Sequence, residues 1–544
     1  LGETRSKSEL VVVAVAAAAL AVLYLGAADG EYHFMEGASA EKIMQVRGLL
    51  SGAGYYEIGR VGVPPEVLRP PGFALVLAGV ELLFGEDMLA LKLFNNLFAP
   101  LGFLAAYFLL RRRAGAWPAI AISFSAYLFP FTYAIARYLE SEFLFSLLLF
   151  AAMAVFERAR DREFIDLKLL GLFAALLAAA VMIRTVAFVL VPASFLALFF
   201  QPAAPARRRL AWAGAITLAW LVVGGGWMLR NQQVSAPGEL TYVDKVLVGE
   251  PVQSVYWLAL DHRMPLLPKP RPAGPMDIAV RLAANLSFFT QAPLRETWPG
   301  SASWGNAGLL IVALPALLFL LGLGRGLWKE RRLPDFTLLF YLGVILLYPH
   351  QDTRFLVPVL PFLILYPVEA VAAGLRYFLK QGERKSMVTT LILCMALGAS
   401  FFIQDMRRLG ATHYDLPAIV RSPHFRITSP NPGAYHSAVL LDWVHQHSSP
   451  NDRVLFHSFA ACAVLTERQC SGIPMVDPSR LMQYLDDAGI TLVVVDDEAR
   501  YGPAYTSAFT AQYLIPALKK YPERFETLIS ADGSSARVMR VVRP

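Results

Sequence analysis

Long uninterrupted apolar runs constrain this chain more than any other feature. A segment of about 20 apolar residues without charge buries its own backbone hydrogen bonds as a helix and fits a bilayer core. Such runs recur near residues 10–28, 88–110, 117–133, 139–156, 167–183, 186–200, 210–229, 307–324, 336–348, 355–375 and 387–403. They account for the unusual composition, in which 56% of the 544 residues are hydrophobic and 17% charged; soluble domains carry roughly 25% charged residues. The expected class is a multi-pass α-helical membrane protein with about eleven transmembrane helices.

Charge orients the spans. The net charge is +7, and the basic residues cluster in short loops at 111–113, 157–168, 207–209, 325–332 and 376–385 rather than in a nucleic-acid-binding stripe. Cytoplasmic loops carry such an excess. With eleven spans and a cytoplasmic N-terminus all five fall inside. The thirteen-residue apolar run at 72–84 contains Glu81. Counting it as a further span puts all five outside, so it is expected to lie at the outer interface. The first run, preceded by Arg5 and Lys7, has signal-peptide character; the many following spans favour an uncleaved first helix.

This topology leaves the outer face with residues 29–87, a long Pro-rich loop at 230–306, a turn at His350 and everything after 404. The reading is therefore a transmembrane domain over 1–404, including outer loops 29–87 and 230–306, followed by an extracytoplasmic domain over 405–544. The latter shows short apolar strands at 453–456, 491–495 and 538–542 and helical patterns at 437–447, 478–488 and 506–520, a small α/β domain. Of the three cysteines, Cys394 lies in an apolar run and is expected to pack there. Cys462 and Cys470 form a disulfide if the domain faces an oxidising compartment; spacing leaves the pairing open.

Polar groups concentrate at the expected outer interface. Asp29, Glu31, Glu36 and Glu41 follow the first span. A placed carboxylate can take a proton from an attacking hydroxyl; a solvated acidic loop reads the same way. Arg69 precedes Pro70 and Pro71, which fix an extended entry into the next helix. Its guanidinium either snorkels to lipid phosphates or binds one phosphate through two hydrogen bonds. Ser141-Glu142, Arg184, Trp227…Arg230-Asn231 and His350…Arg354 mark further span ends. Ionisable residues at membrane depth are costly and point to function. A cationic rim beside a carboxylate suits chemistry with a phosphate leaving group.

The order of these pieces resembles the bacterial branch of the GT-C superfamily related to protein O-mannosyltransferases and the lipid A aminoarabinose transferase. The matching pieces are the acidic loop, Leu49-Leu50-Ser51-Gly52, Arg69-Pro70-Pro71-Gly72-Phe73, Ser141-Glu142, Arg184, Arg230-Asn231 and Arg354-Phe355 with Pro358 and Pro361; Trp443, Asp452 and the apolar stretch after Gly489 extend the likeness into the C-terminal domain. The resemblance implies an inverting glycosyltransferase of the inner membrane. It would move a sugar, hexosyl or pentosyl, from a polyprenyl-phosphate donor to an acceptor glycolipid, polysaccharide or protein on the outer face. It implies Glu36 or Glu41 as the base, with Asp29, Glu31 and Glu57 as further candidates. Arg69 would hold the donor phosphate, joined by Arg230, Arg354, Arg184 or His350. Leu68 stands where such proteins carry a second acid, so Glu57 or Glu66 would substitute. No organic cofactor is expected; a divalent metal is possible through carboxylates but no Asp-x-Asp pattern indicates one. The rival classes are a polyprenyl-lipid transporter or flippase, which would show pseudo-symmetric halves, and a non-catalytic membrane assembly protein.

Overall fold

The computed structural model describes residues 6–28, 31–33, 37–160, 166–201, 205–234, 274–297, 305–348, 351–378, 420–421, 426–428, 432–474, 476–495, 510–531 and 535–543, with isolated helical positions between 389 and 403. The first apolar run forms the helix Lys7–Gly26, whose N-terminus is capped by Ser6 Oγ accepting from the Glu9 amide at 3.1 Å. Four described helices are long and apolar enough to cross a bilayer: Lys7–Gly26, Met88–Ala114, Ala206–Val234 and Thr353–Tyr377. Shorter apolar helices over Gly72–Phe84, Leu167–Ile183, Thr185–Phe199 and Leu333–Leu347 accompany them. Most of the 387–403 run lies outside the described residues. At the centre, Phe98–Ala114 packs against Glu142–Arg160, which in turn packs against Leu167–Ile183. Phe103, Phe143, Phe150 and Phe173 on these helices are fully buried. Around them Val22, Leu82, Leu83, Leu210 and Leu218 stay exposed. This inversion of the soluble pattern is that of an integral membrane protein, whose outer surface meets lipid.

The bundle separates its charges into two layers. At one end Arg113 meets Asp335 at 2.5 Å and Glu369 at 2.7 Å, Arg111 meets Glu9 at 2.6 Å, and the Leu333 amide donates to Glu157 at 2.9 Å. Arg208 reaches the Ala159 carbonyl there, and Arg160 that of Arg331. The described parts of the basic loops thus come from distant parts of the chain to one end. At the other end lie Glu41, Lys42, Arg69, Glu140, Arg184 and Arg354.

Two stretches read as outer loop contain regular structure. Gly37–Leu50 is a helix in the first loop, and Pro275–Thr297 is a 23-residue helix within 230–306, a correction to the picture of an irregular segment. The second helix carries buried Arg281 and Asn285, and these polar residues break the apolar run by which helices are found in sequence. Asn285 Nδ2 donates to the carbonyls of Leu346 at 2.8 Å and Tyr348 at 2.7 Å, satisfying groups orphaned at the end of Leu333–Leu347. Residues 235–273 are outside the described part.

The C-terminal strands, numbered in chain order with the one strand of the first loop, are β1 (Glu31–His33), β2 (Val420–Arg421), β3 (Arg426–Thr428), β4 (Arg453–Leu455), β5 (Gln469–Ser471), β6 (Leu492–Val495), β7 (Phe525–Ser530) and β8 (Arg537–Val541). They form a three-stranded sheet ordered β1-β3-β2 and a five-stranded sheet ordered β5-β4-β6-β8-β7. β6 is buried throughout, as its unbroken Leu-Val-Val-Val run requires of a central strand. The expected elements at 453–456, 491–495, 538–542, 437–447 and 478–488 all form. The expected helix at 506–520 is described only as a π-helical turn Thr510–Leu514 leading into Ile515–Lys520. β2, β3, β5, β7 and the helix Phe459–Thr466 are additions. Cys462 and Cys470 form a disulfide between that helix and β5.

The C-terminal sheets dock on the segment between the first helix and Gly72–Phe84. β1 pairs in parallel with β3. The Cys470 amide donates to the Gly59 carbonyl at 2.8 Å, and the Val61 amide to the Cys470 carbonyl at 3.0 Å. A Cβ on Gly59 would fall 2.4 Å from the Ala463 Cβ, so this approach admits only glycine.

Candidate active site at the loop-bearing end of the bundle

The site begins with helix periodicity. In Gly37–Leu50, Glu41 and Gln45 are four residues apart and share a face. That face meets the segment before the paired prolines. Glu41 is ion-paired with Arg69, and Gln45 Nε2 donates to Glu66 at 2.6 Å. Glu66 is buried and organises the turn: its Oε1 accepts the Leu68 amide at 2.7 Å and the Arg69 amide at 3.0 Å. The Arg69 guanidinium lies 3.6 Å from the same carboxylate. The prolines then deliver the chain into Gly72–Phe84. There a Cβ on Gly72 would sit 2.5 Å from the Met182 carbonyl oxygen, which brings this helix start against the end of Leu167–Ile183 and the neighbouring Arg184.

Lys42, one residue along the same helix, points to a second cluster. Its Nζ lies 3.1 Å from Glu140. Glu140 also pairs with Arg354, whose Nε lies 2.7 Å from Asp352 and 3.7 Å from Glu142. Glu142 pairs with Arg184, whose guanidinium stacks 5.6 Å from the Phe355 ring. Glu140 and Glu142 are buried, and Glu142 Oε2 makes no hydrogen bond among the described residues. Two ionic clusters thus meet on one helix: Arg69 with Glu41 and Glu66, and Lys42 with Glu140, Arg354, Glu142 and Arg184. Every guanidinium in the two clusters faces a carboxylate.

Two residues grouped with the site by sequence make other contacts. Arg230 donates to the backbone carbonyls of Glu66 and, at 3.1 Å, Tyr55. Glu57 pairs with Arg60 at 2.9 Å beneath the C-terminal domain. Burial pushes the Glu57 carboxyl up to about 7 against the opposing pull of Arg60. Asp29, Glu36 and His350 lie outside the described residues, and Glu31 is described only as part of β1. Among the described residues no three His, Cys, Asp or Glu side chains come together as a metal site. Sequence reading passed over Lys42, Gln45 and Glu140. The last stands directly before Ser141-Glu142, and its depth beside two other acids-or-cations at a span end was the available signal.

Residues 68–227 match the model of the dolichyl-phosphate-mannose-protein mannosyltransferase family, a stretch that includes Arg69, Glu140, Glu142 and Arg184. The oligosaccharyltransferase of Archaeoglobus fulgidus, tethered to an acceptor peptide, superposes with a TM-score of 0.58 at 12% identity, over 98% of this chain and 74% of that one. The fold is that of the GT-C glycosyltransferases. A second GT-C structure, the archaeal oligosaccharyltransferase with an inhibitory peptide and a dolichol-phosphate, gives 0.56 at 12% identity over 96% and 72% of the two chains. A mutant mycobacterial arabinofuranosyltransferase gives 0.51 at 12% identity, over all of this chain and 42% of its own. No curated protein matches the chain. Within the GT-C frame the two ionic clusters occupy the end of the bundle opposite the basic loops, where the C-terminal sheets also dock.

Proposed function

We propose that this GT-C protein is an inverting glycosyltransferase that moves a sugar from a polyprenyl-phosphate donor to an acceptor on the outer face of the cytoplasmic membrane. The observation that carries the reading is the ion pair of Glu41 with Arg69 beside the interfacial helix Gly72–Phe84. About eleven spans put this end, with a C-terminal domain from about residue 405, outside, as the basic loops at the opposite end favour.

In this reaction the acceptor hydroxyl attacks the anomeric carbon from the face opposite the lipid phosphate. The bond from that carbon to the phosphate oxygen breaks, the configuration inverts, and the hydroxyl proton passes to a carboxylate. The donor phosphate takes the Arg69 guanidinium through charge-assisted hydrogen bonds. Glu41, displaced from its partner, becomes the proton acceptor; Glu36 is the alternative base. Arg354 and Arg184, with His350, border the phosphate and favour its developing charge. A phosphate leaves without a strong general acid, and the reaction as proposed uses no organic cofactor.

Purified protein supplied with a polyprenyl-phosphate sugar and an acceptor tests this. Release of polyprenyl phosphate coupled to glycosylated product is expected, and Glu36→Gln and Glu41→Gln are to be assayed separately. Normal transfer in both variants removes the base assignment. Movement of the intact lipid-linked sugar across vesicles without sugar transfer favours a transporter instead.

A further inference from the structure

Arg230 and Asn231 end the helix Ala206–Val234, most of whose apolar face is exposed: Leu218, Leu221, Val222, Met228 and Leu229 all meet the surroundings. Among the described residues three polar contacts tie this end to the backbone of the loop that carries Arg69. Arg230 Nη1 donates to the Glu66 carbonyl, Arg230 Nη2 to the Tyr55 carbonyl at 3.1 Å, and Asn231 Nδ2 to the Val67 carbonyl at 2.7 Å. Asn231 Oδ1 accepts from Arg230 Nη1 at 3.1 Å, locking the two side chains together. The guanidinium lies 5.1 Å from the Trp227 ring and 5.9 Å from that of Tyr55, and the two rings meet edge to face at 6.0 Å.

The loop so gripped is a narrow one. Tyr55 and Glu66 are joined by the Glu66 amide donating to the Tyr55 carbonyl at 3.1 Å, and Glu57 and Pro64 by a bond of 2.9 Å. Arg230 therefore bridges the two strands of the loop at its neck. Residue 66 then passes the constraint on, since its side chain receives the Arg69 amide. A planar guanidinium with several fixed donors suits a clamp on two carbonyls; an ammonium does not.

We infer that Arg230 and Asn231 are positioning residues, which fix the loop from Tyr55 to Arg69 so that Arg69 meets Glu41 and the donor phosphate, rather than phosphate ligands themselves. This rests on the glycosyltransferase reading for its catalytic consequence but not for its structural one. Loss of the clamp displaces Arg69 without removing it, and misplacements on the order of 1 Å can cost roughly 10²-fold in rate.

The test compares Arg230→Ala, Arg230→Lys, Asn231→Ala and Arg69→Ala in the full-length protein, with three readouts: amide hydrogen exchange of the 64–70 segment, binding of polyprenyl phosphate without sugar, and steady-state transfer. The clamp predicts faster exchange in Arg230→Ala and Asn231→Ala, a fall in kcat, and polyprenyl phosphate binding weakened but well short of the loss in Arg69→Ala, with Arg230→Lys intermediate. Arg69→Ala is expected to lose binding. Unchanged exchange in Arg230→Ala, or loss of polyprenyl phosphate binding equal to that of Arg69→Ala, overturns the inference. Should the wild type transfer no sugar, the proposed function fails while the exchange readout still decides the clamp. Arg230→Lys covers the case in which Arg230→Ala does not fold.

Discussion

Glu41 and Arg69 are ion-paired across the gap between the helix behind the first span and the paired prolines. The Glu41 side chain is 6% exposed and that of Arg69 26%, so the pair opens to its surroundings on the cationic side. A phosphate arriving from that side competes with Glu41 for the guanidinium.

Competition gives a signature that separates binding from chemistry. Glu41→Gln removes the competing charge and is expected to tighten polyprenyl phosphate binding by roughly tenfold, equivalent to about 1.4 kcal/mol, while slowing transfer. Arg69→Ala is expected to abolish tight binding. Isothermal titration with polyprenyl phosphate, set beside transfer rates for both variants, checks this. Weaker binding in Glu41→Gln contradicts the displacement.

Glu140 holds Lys42 at 3.1 Å and pairs with Arg354 as well, tying the first-loop helix to the start of Thr353–Val359. Removing one member of a buried ion pair leaves the others uncompensated, at a cost of about 3–5 kcal/mol. Glu140→Ala should lower the unfolding temperature markedly in detergent. Lys42→Met combined with Glu140→Ala should cost less than the two single changes summed, because no buried ammonium is left over. A strictly additive double variant means that the contact contributes nothing.

The apolar helices were legible because lipid imposes one rule on every backbone group, and apolar runs answer it directly; four of the described ones are long and apolar enough to cross a bilayer. β4, β6 and β8 were legible for a related reason, clearest in β6, where Leu492–Val495 is apolar without a break; the shorter or more polar β2, β3, β5 and β7 were not. Arg69 could be singled out because Pro70 and Pro71 mark where the chain enters a helix. Its partner could not, since four acids crowd residues 29–41 and only the turn of Gly37–Leu50 selects which faces it. Glu140 was hidden by its neighbour Glu142, and its pairing with Lys42 depends on packing between segments far apart in the chain. The roles of Arg230 were equally out of reach, because a guanidinium seeking phosphate and one seeking carbonyls have the same sequence appearance.

Glu57 supplies a pH dependence. Its carboxyl titrates near 4.5 when solvated and is pushed up to about 7 by burial. The folded protein therefore holds this proton to higher pH than the unfolded chain does. The associated stability is complete below about 4.5 and is lost as pH rises through about 7. Glu57→Gln, which keeps the shape without the titration, should flatten the fall in unfolding temperature over that window. An unchanged slope assigns the pH dependence to other groups.

The Cys462–Cys470 disulfide closes a short loop, with a sequence separation of 8, at the place where the C-terminal domain grips the first loop. Cys470 contributes both its amide and its carbonyl to Gly59 and Val61, and Arg60 lies 4.9 Å from the Phe459 ring on the linked helix. Breaking a cross-link of this size is expected to cost about 2–3 kcal/mol by the loop-closure estimate. Because the cross-linked residues also seat the loop that leads to Glu66, the effect should extend beyond the C-terminal domain. Cys462→Ser with Cys470→Ser should lower the unfolding temperature and increase proteolysis between residues 55 and 66, and mild reductant should reproduce both in the wild type but not in the double variant. Protection of that loop unchanged by reduction would show that the domain's grip does not depend on the disulfide.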